Sequence, residues 1–182
     1  MKILRALFFC ALLVLPMIGC TALPFTDEAR ARELMGGVTQ FYETYATVRA
    51  GGMETHTHIH RPCPDTTRVE VLSPESVAGF EYIFRQGGVE LAYRGLSFNL
   101  DAFGGAHTLP VIRGVSALAA LLLPEGERPL PTQQPDGLWL LRGQFAGEES
   151  LLFLDEESGV PVKLLLPGSE VEFVFESFVF LG

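Results

Sequence analysis

The sequence predicts an α+β fold: a strongly curved antiparallel sheet of about eight or nine strands, with one short N-terminal helix and one apolar helix packed in its concave face. Three observations support this prediction. Runs of alternating apolar and polar residues recur from residue 42 onward, a polar helical segment precedes them, and a charge-poor segment bounded by prolines interrupts them. A sheet of that size must curl, so we expect a half-open β-barrel.

The first helix is predicted to begin at Thr26, a good N-cap residue, with Asp27 and Glu28 in its first turn. Gly36 and Gly37 are expected to end it, because glycine readily adopts the left-handed conformation that closes helices.

Strands are predicted wherever apolar residues alternate with polar ones, a pattern typical of a sheet with one buried face. Gln86-Gly87-Gly88 is predicted to form a hairpin turn between two of them. The alternating segments are Tyr42 to Val48, Val69 to Val71, Phe80 to Phe84, Val89 to Tyr93 and Leu96 to Leu100, followed by 138–145, 150–155, 160–166 and 170–180.

The second helix is predicted over Val111 to Leu123, between Pro110 and Pro124, with Arg113 as its single charge. It is apolar nearly all round, which favours burial. At about 13 residues it is too short to span a bilayer. The four prolines of residues 124–137 predict a mobile loop.

The first twenty residues have the pattern of an export signal. Lys2 and Arg5 precede an uncharged apolar run, and Gly19-Cys20 ends it. This end resembles the lipobox of bacterial prolipoproteins, in which the cysteine sulfur takes a diacylglycerol. We therefore expect a lipoprotein signal peptide at 1–19, a lipidated tether at 20–26 beginning at Cys20, and one domain at 27–182. The alternative is an ordinary secretory signal with a chance cysteine.

The composition limits the kinds of molecule that the protein can bind. Apolar residues make up 48% of the chain, enough for a real core, and the 22 acidic residues outnumber the 13 basic ones to give a net charge of −9. Such a surface repels nucleic acid. With Cys20 lipidated and Cys10 removed with the signal, Cys63 has no intrachain disulfide partner.

Two stretches resemble the LolA/LolB-type lipoprotein-carrier superfamily: Arg68 to Gly79, containing Arg-Val-Glu-Val-Leu-Ser-Pro, and Leu154 to Leu164, with its Asp155 and Gly159-Val160-Pro161 turn. The resemblance implies an open β-barrel lidded by helices, without enzymatic activity or cofactor. The chain resembles in particular the lipid-anchored branch that includes the germination lipoprotein GerS. That lipoprotein is associated with a cortex-processing amidase, which implies an adaptor role at the cell envelope.

The predicted cleft between sheet and helix is apolar and suits a hydrophobic ligand. It favours binding of an acyl-bearing ligand or lipoprotein at the outer side of the cell membrane. The adaptor for a cell-wall (spore cortex) hydrolase in germination is the alternative. The residues expected to line the cleft are Phe80, Tyr82, Phe84, Leu91, Tyr93, Val115, Leu118 and Leu122.

A third hypothesis is metal binding through His56, His58 and His60, which lie on one face of a predicted strand. The row spans about 13 Å, so one ion would need a bent strand to reach both ends. The alternative is a solvent-facing edge strand with Met53 and Ile59 buried on its other face. No serine or carboxylate pattern predicts a catalytic site, and Asp155-Glu156-Glu157 is predicted to be a solvated hairpin loop.

Overall fold

Eleven antiparallel strands form one open sheet in the computed structural model, which describes residues 25–100, 109–122 and 129–181. Within these ranges two α-helices accompany it, α1 (Phe25–Gly36) and α2 (Pro110–Leu121), with a short 3-10 helix at Pro167–Ser169. The strands are β1 (Tyr42–Ala50), β2 (Met53–Cys63), β3 (Thr66–Ser73), β4 (Glu81–Arg85), β5 (Gly88–Tyr93), β6 (Leu96–Asn99), β7 (Thr132–Gln133), β8 (Trp139–Phe145), β9 (Glu148–Leu154), β10 (Pro161–Leu166) and β11 (Val171–Phe180).

The strand order is β6-β5-β4-β3-β2-β1-β11-β10-β9-β8-β7, so the sheet consists of two meanders joined where β1 pairs with β11. Strands β6 and β7 are its edges, and the sheet is not closed into a barrel. The α+β class and the open antiparallel sheet are confirmed. The strand count exceeds the prediction, partly because the two-residue β7 lies within the predicted proline-rich loop and pairs with β8. Two residues are too few to show alternation.

The sheet has two faces that differ in polarity. The inner face is the one that carries Tyr42, Ile59 and Val69, each 0% exposed, and it meets α2 in the main core. The outer face carries the intervening residues of the same strands, most of them charged or polar. This division is the expected result of period-two alternation on a sheet with one buried face.

Helix α2 is held on the inner face by close backbone approach. A Cβ atom built on Gly114 would lie 1.9 Å from Phe173 Cε2, and one built on Gly143 of β8 would lie 2.5 Å from Leu121 Cδ2. Val115, Leu118 and Leu121 are buried, and the helix as a whole contacts β1 and the C-terminal half of the sheet. The prediction of a buried apolar helix agrees with this arrangement. Neither described helix is long and apolar enough to cross a membrane.

Helix α1 packs beside the turn between β9 and β10. Ala31, Leu34 and Met35 are buried, and a Cβ on Gly159 would lie 2.8 Å from Leu34 Cδ2. The helix begins at Phe25, so the last two residues of the predicted tether are helical. The predicted signal peptide and Cys20 lie outside the described residues.

The histidine-bearing strand is not an edge strand. β2 lies between β1 and β3 and pairs with both along its length. The edge-strand alternative is therefore wrong, and the polar row arises from the outer face of an interior strand. Ile59 is fully buried as expected, but Met53 is 71% exposed, because it starts the strand directly after the Gly51-Gly52 turn.

A candidate apolar ligand cleft

A cavity of about 430 Å³ lies on the inner face beside the N-terminal end of α2. This volume falls within the range of about 300–1,000 Å³ that is common for small-ligand sites. Most of its lining is apolar, and it is contributed by β1, β2, β3, β4, the β3–β4 connection and the start of α2. We call it the apolar cavity; its main lining residues are Val48, Ala50, Val71, Val77, Tyr82 and Val111.

The β3–β4 connection forms one wall of the apolar cavity. Its backbone closes on itself, with Val77 N donating to Pro74 O at 3.0 Å and Gly79 N donating to Val71 O at 2.8 Å. Gly79 has φ +82°, a left-handed conformation that favours glycine. These bonds fix the half-buried Val77 side chain against the cavity, so the wall is preformed.

The mouth of the apolar cavity carries Met53, the most exposed of the large hydrophobic side chains in the β1–β2 hairpin. Met53 lines the cavity while 71% of the residue is exposed. Leu109, which precedes α2, lines the same cavity and is 36% exposed. A long flexible thioether and a leucine at an apolar opening suit an aliphatic ligand that enters from solvent.

The charge nearest this cavity belongs to the outer face. Glu54 borders the cavity, but its carboxylate accepts a 3.0 Å hydrogen bond from Arg49 Nε, its cross-strand neighbour. That hydrogen bond, reinforced by the Arg49 charge and by His56, lowers the pKa of Glu54. The Glu54 carboxylate is thus ionised and paired with Arg49 on the outer face, apart from the apolar interior of the cavity.

Five of the predicted cleft residues share the inner face of β4 and β5. Tyr82 is opposite Leu91, Phe84 is opposite Val89, and the ring of Phe80 meets that of Tyr93 edge-on at 4.5 Å. All five are only partly buried. Of these, Tyr82 lines the apolar cavity, and burial raises the pKa of its hydroxyl.

The three predicted cleft residues on and beside α2 lie deeper. Leu118 and Leu122 are each 1% exposed within the main core and line neither cavity described here. Val115 lines a second, smaller cavity. The rotation of α2 places Leu118 in the main core and Val115 at a cavity, a direction that an all-apolar helix sequence does not specify.

Sequence reasoning missed most of the apolar cavity. Val48, Ala50, Val71 and Val77 follow no pattern that separates them from ordinary core residues. The one sequence feature that points to this cavity is the Arg68 to Gly79 stretch, because its turn contains Val77.

A second cavity of about 280 Å³ lies one helical turn further along α2. Phe84, Val115 and Ala119 form its apolar side, and Arg61 and Thr67 lie on its polar side. We call it the Arg61 cavity. Asp65, Arg85 and Gln86 also border it, with Gln86 Nε2 donating to Asp65 Oδ1 at 2.8 Å and Arg85 donating to Glu90 at 3.2 Å.

The three predicted metal-ligand histidines share the outer face of β2 but engage different neighbours. His58 Nε2 lies 2.8 Å from Glu43 Oε1, and its ring stacks on Tyr45 at 4.6 Å. His56 Nδ1 lies 3.1 Å from Thr47 Oγ1, and His56 Nε2 lies 3.3 Å from Glu54 Oε1. Within the ranges that the structure describes, no group of three histidine, cysteine or acidic side chains is arranged to hold a metal ion. The metal hypothesis gains no support from this geometry.

No protein-family model and no curated protein matches this chain. Solved structures similar to it include an uncharacterized conserved protein from Thermus thermophilus, at 16% identity and a TM-score of 0.46 over 85% of each chain. The LolA superfamily protein NE2245 from Nitrosomonas europaea has 10% identity and a TM-score of 0.42 over 86% of this chain and 94% of that one.

A third similar structure is the CwlD amidase from Clostridioides difficile in complex with the GerS lipoprotein, at 11% identity and a TM-score of 0.39 over 82% of this chain and 88% of that one. The structural neighbours thus include a LolA superfamily protein and a GerS complex. All three TM-scores are below 0.5, so no ligand or partner is transferred from them to the site.

Proposed function

We propose that this chain is a non-enzymatic, lipid-anchored binding protein of the cell envelope that receives the acyl part of a hydrophobic ligand in the apolar cavity. One observation carries the proposal: a preformed cavity of about 430 Å³ between α2 and the inner face, lined mainly by aliphatic side chains and Tyr82, with the exposed Met53 at its mouth.

The energetics favour an aliphatic occupant over a polar one. Each methylene buried in an apolar site contributes about 0.8 kcal/mol. Burying an amide or hydroxyl there without a hydrogen-bond partner costs roughly 1–3 kcal/mol. Val48, Val71 and Val111 offer no side-chain hydrogen bond, so the part of the cavity that they line favours aliphatic groups over polar ones.

Native mass spectrometry of protein purified without detergent tests the ligand. We expect masses above that of the bare chain by one acyl-bearing molecule, or uptake of one added long-chain fatty acid or monoacylglycerol per chain. A bare mass that stays bare after incubation with both additives would contradict the proposal.

Anchoring through Cys20 is a separate part of the proposal, based on the signal-like first nineteen residues. Two acyl chains on Cys20 would hold the domain close to the membrane. Mass analysis of the N-terminal peptide should show a diacylglyceryl thioether at Cys20, and Cys20→Ala should move the protein out of the membrane fraction. A mature N-terminus at another residue, without lipid, would refute the lipid anchor. That result would not affect the proposal that the apolar cavity binds a ligand.

A second candidate function is an adaptor for an envelope protein such as a cell-wall hydrolase. The observation that favours a protein partner is the edge strand β6, where Leu96 is 61% and Phe98 is 48% exposed. β6 is the outermost described strand on its side of the sheet, and exposed apolar side chains at such a position can contact another chain. The neighbour from C. difficile is a complex of an amidase with a lipoprotein.

Co-purification of the full chain with the hydrolases of its own envelope tests this candidate. We expect a hydrolase to be retained by the wild type and lost with Leu96→Glu, whereas Leu72→Glu, at another exposed leucine (42% exposed), should retain it. Equal retention by both variants, or recovery of no hydrolase, would contradict an adaptor role through β6.

A further inference from the structure

Arg61 is an arginine on the inner face of a strongly acidic protein. It is opposite Tyr42 in the β1–β2 register, so both side chains lie on the face that packs on α2. Its neighbours on β2, Thr57 and Ile59, are almost completely buried. A guanidinium at such a position loses much of its hydration and needs hydrogen-bond acceptors to replace it.

The described part of the chain supplies Arg61 with few acceptors. One guanidinium nitrogen donates to Pro64 O at 3.2 Å, while Nε is buried and has no hydrogen-bond partner there. Arg30, Arg32, Arg49, Arg68, Arg85, Arg113 and Arg142 each pair with a glutamate, and Arg61 pairs with no carboxylate among the described residues.

The group next to Arg61 on the inner face is the hydroxyl of Tyr42. Tyr42 is 0% exposed, and Arg61 acts on its hydroxyl through its charge and through a side-chain hydrogen bond. Burial raises the pKa of Tyr42 and the adjacent Arg61 charge opposes that rise, so the hydroxyl stays protonated and can donate. Among the described residues, Arg61 Nε is therefore a buried donor without an acceptor.

The Arg61 cavity offers space for such a group. Its volume is about 280 Å³, and Thr67 is one of its polar lining residues. Phe84, the cross-strand partner of Thr67, lines it together with Val115 and Ala119 of α2, and these three present apolar surface that can contact methylene groups next to a charged head. The one carboxylate in the lining, Asp65, accepts from Gln86 and pairs with no arginine in the described ranges.

We infer that Arg61 forms a binding site for one carboxylate or phosphate group, either as a free anion or as the head of an amphiphile. Arginine suits such groups because its planar fork can donate two parallel hydrogen bonds. The inference does not rest on the proposed function, since the two cavities have no lining residue in common.

Calorimetric titration with inorganic phosphate, decyl phosphate and decanol tests the site. We expect saturable 1:1 binding of decyl phosphate, weakened at least tenfold by Arg61→Gln and unchanged by Arg142→Gln, which removes an exposed arginine paired with Glu149. Comparable binding of inorganic phosphate would assign the site to free anions, whereas binding of decyl phosphate alone would assign it to an amphiphile head.

A measurement on the wild type avoids dependence on the folding of the variant. Decyl phosphate should protect Arg61 from modification by phenylglyoxal, as read by peptide mapping, and leave Arg142 reactive. The inference is overturned if neither phosphate binds, if decanol binds as tightly as decyl phosphate, or if Arg61→Gln binds like the wild type. Decyl phosphate binding that is lost in Val77→Trp but retained in Arg61→Gln would likewise overturn it, while supporting the apolar cavity.

Discussion

Gly114 of α2 lies directly on the ring of Phe173 in β11: a Cβ atom at position 114 would be 1.9 Å from Phe173 Cε2 and 2.3 Å from Cζ. Phe173 is 1% exposed and its ring contacts that of Phe175, so it has little room to move. This contact sets how closely the helix approaches the sheet and thereby positions both cavities.

Gly114→Ala should destabilise the fold. Overpacking of a core usually costs about 1–3 kcal/mol, and this cost should outweigh the helix propensity that alanine adds, which is up to about 1 kcal/mol. Chemical denaturation should show the loss in the free energy of unfolding. Gly36→Ala is the control: no atom lies within 4 Å of a Cβ built there, so it should be neutral or stabilising. Equal effects of the two substitutions would contradict the close approach.

The ion pair between Arg113 of α2 and Glu148 of β9 should stabilise the protein measurably. The two side chains are 23% and 11% exposed, and Ser169 Oγ donates to Glu148 at 3.1 Å. Glu148→Ala leaves the arginine without its partner and should cost about 1–3 kcal/mol in the free energy of unfolding. Glu149→Ala breaks the neighbouring pair with Arg142, whose side chains are 57% and 50% exposed, and should cost under about 1 kcal/mol. A larger loss for Glu149→Ala than for Glu148→Ala would refute this ranking.

Tyr42→Phe should change stability little at pH 7, within about 1 kcal/mol, because among the described residues the hydroxyl interacts with Arg61 alone and a single hydrogen bond contributes about that much. At alkaline pH the variant should be the more resistant. Burial raises the pKa of Tyr42 above its ordinary value of 10.0, so the folded state holds the proton more tightly and wild-type stability falls as pH rises above 10. Denaturation from pH 8 to 11 measures this; Tyr82→Phe, at a less buried tyrosine, should give a smaller gain. Identical alkaline profiles for wild type and Tyr42→Phe would contradict it.

Asp155 should stabilise the β9–β10 turn in its ionised form. Its Oδ1 accepts from Ser158 Oγ at 2.6 Å, Ser158 N at 2.9 Å and Glu157 N at 3.2 Å, and these bonds lower the pKa of Asp155 below its usual 3.8. The stability it adds is therefore present above pH 3.8 and is lost as pH falls through the lower folded pKa.

Asp155→Ala should cost about 1 kcal/mol in the free energy of unfolding at neutral pH, and its difference from the wild type should shrink below pH 3.8. Asp136→Ala is the matched control. The Asp136 Oδ1 accepts a single backbone hydrogen bond, from Leu138 N at 3.2 Å, so this substitution should lower the free energy of unfolding by less. A pH-independent difference for Asp155→Ala would show that the turn does not depend on the carboxylate charge.

Much of the fold follows from local pattern. The alternation in Tyr42 to Val48 and Val171 to Phe175 predicts strands with the correct inner faces, and Pro110 predicts the start of α2. The sequence predicts a hairpin loop at Asp155-Glu156-Glu157, and in the structure the Asp155 to Gly159 turn joins β9 to β10. These features depend on neighbours in sequence, which is why the sequence reveals them.

The candidate site follows much less from the sequence, because it depends on contacts between distant segments. Val48, Val77 and Val111 meet only when β1, the β3–β4 connection and α2 converge. Whether Leu118 faces a cleft or the core is decided by the rotation of α2, which Gly114 and Phe173 set. The interior position of β2 also depends on pairing with both β1 and β3, which its polar histidine row conceals.

Uptake of a fluorescent long-chain fatty acid by a matched pair of variants tests the central claim most directly. Val77→Trp fills the apolar cavity, whereas Val179→Trp places the same side chain at an exposed position of β11 (55% exposed). The comparison requires that both variants have equal thermal stability. Under that condition, we predict that Val77→Trp loses at least fivefold in affinity for the fatty acid and that Val179→Trp loses none. Unchanged affinity in Val77→Trp would contradict the claim that the cavity between α2 and the inner face receives the ligand.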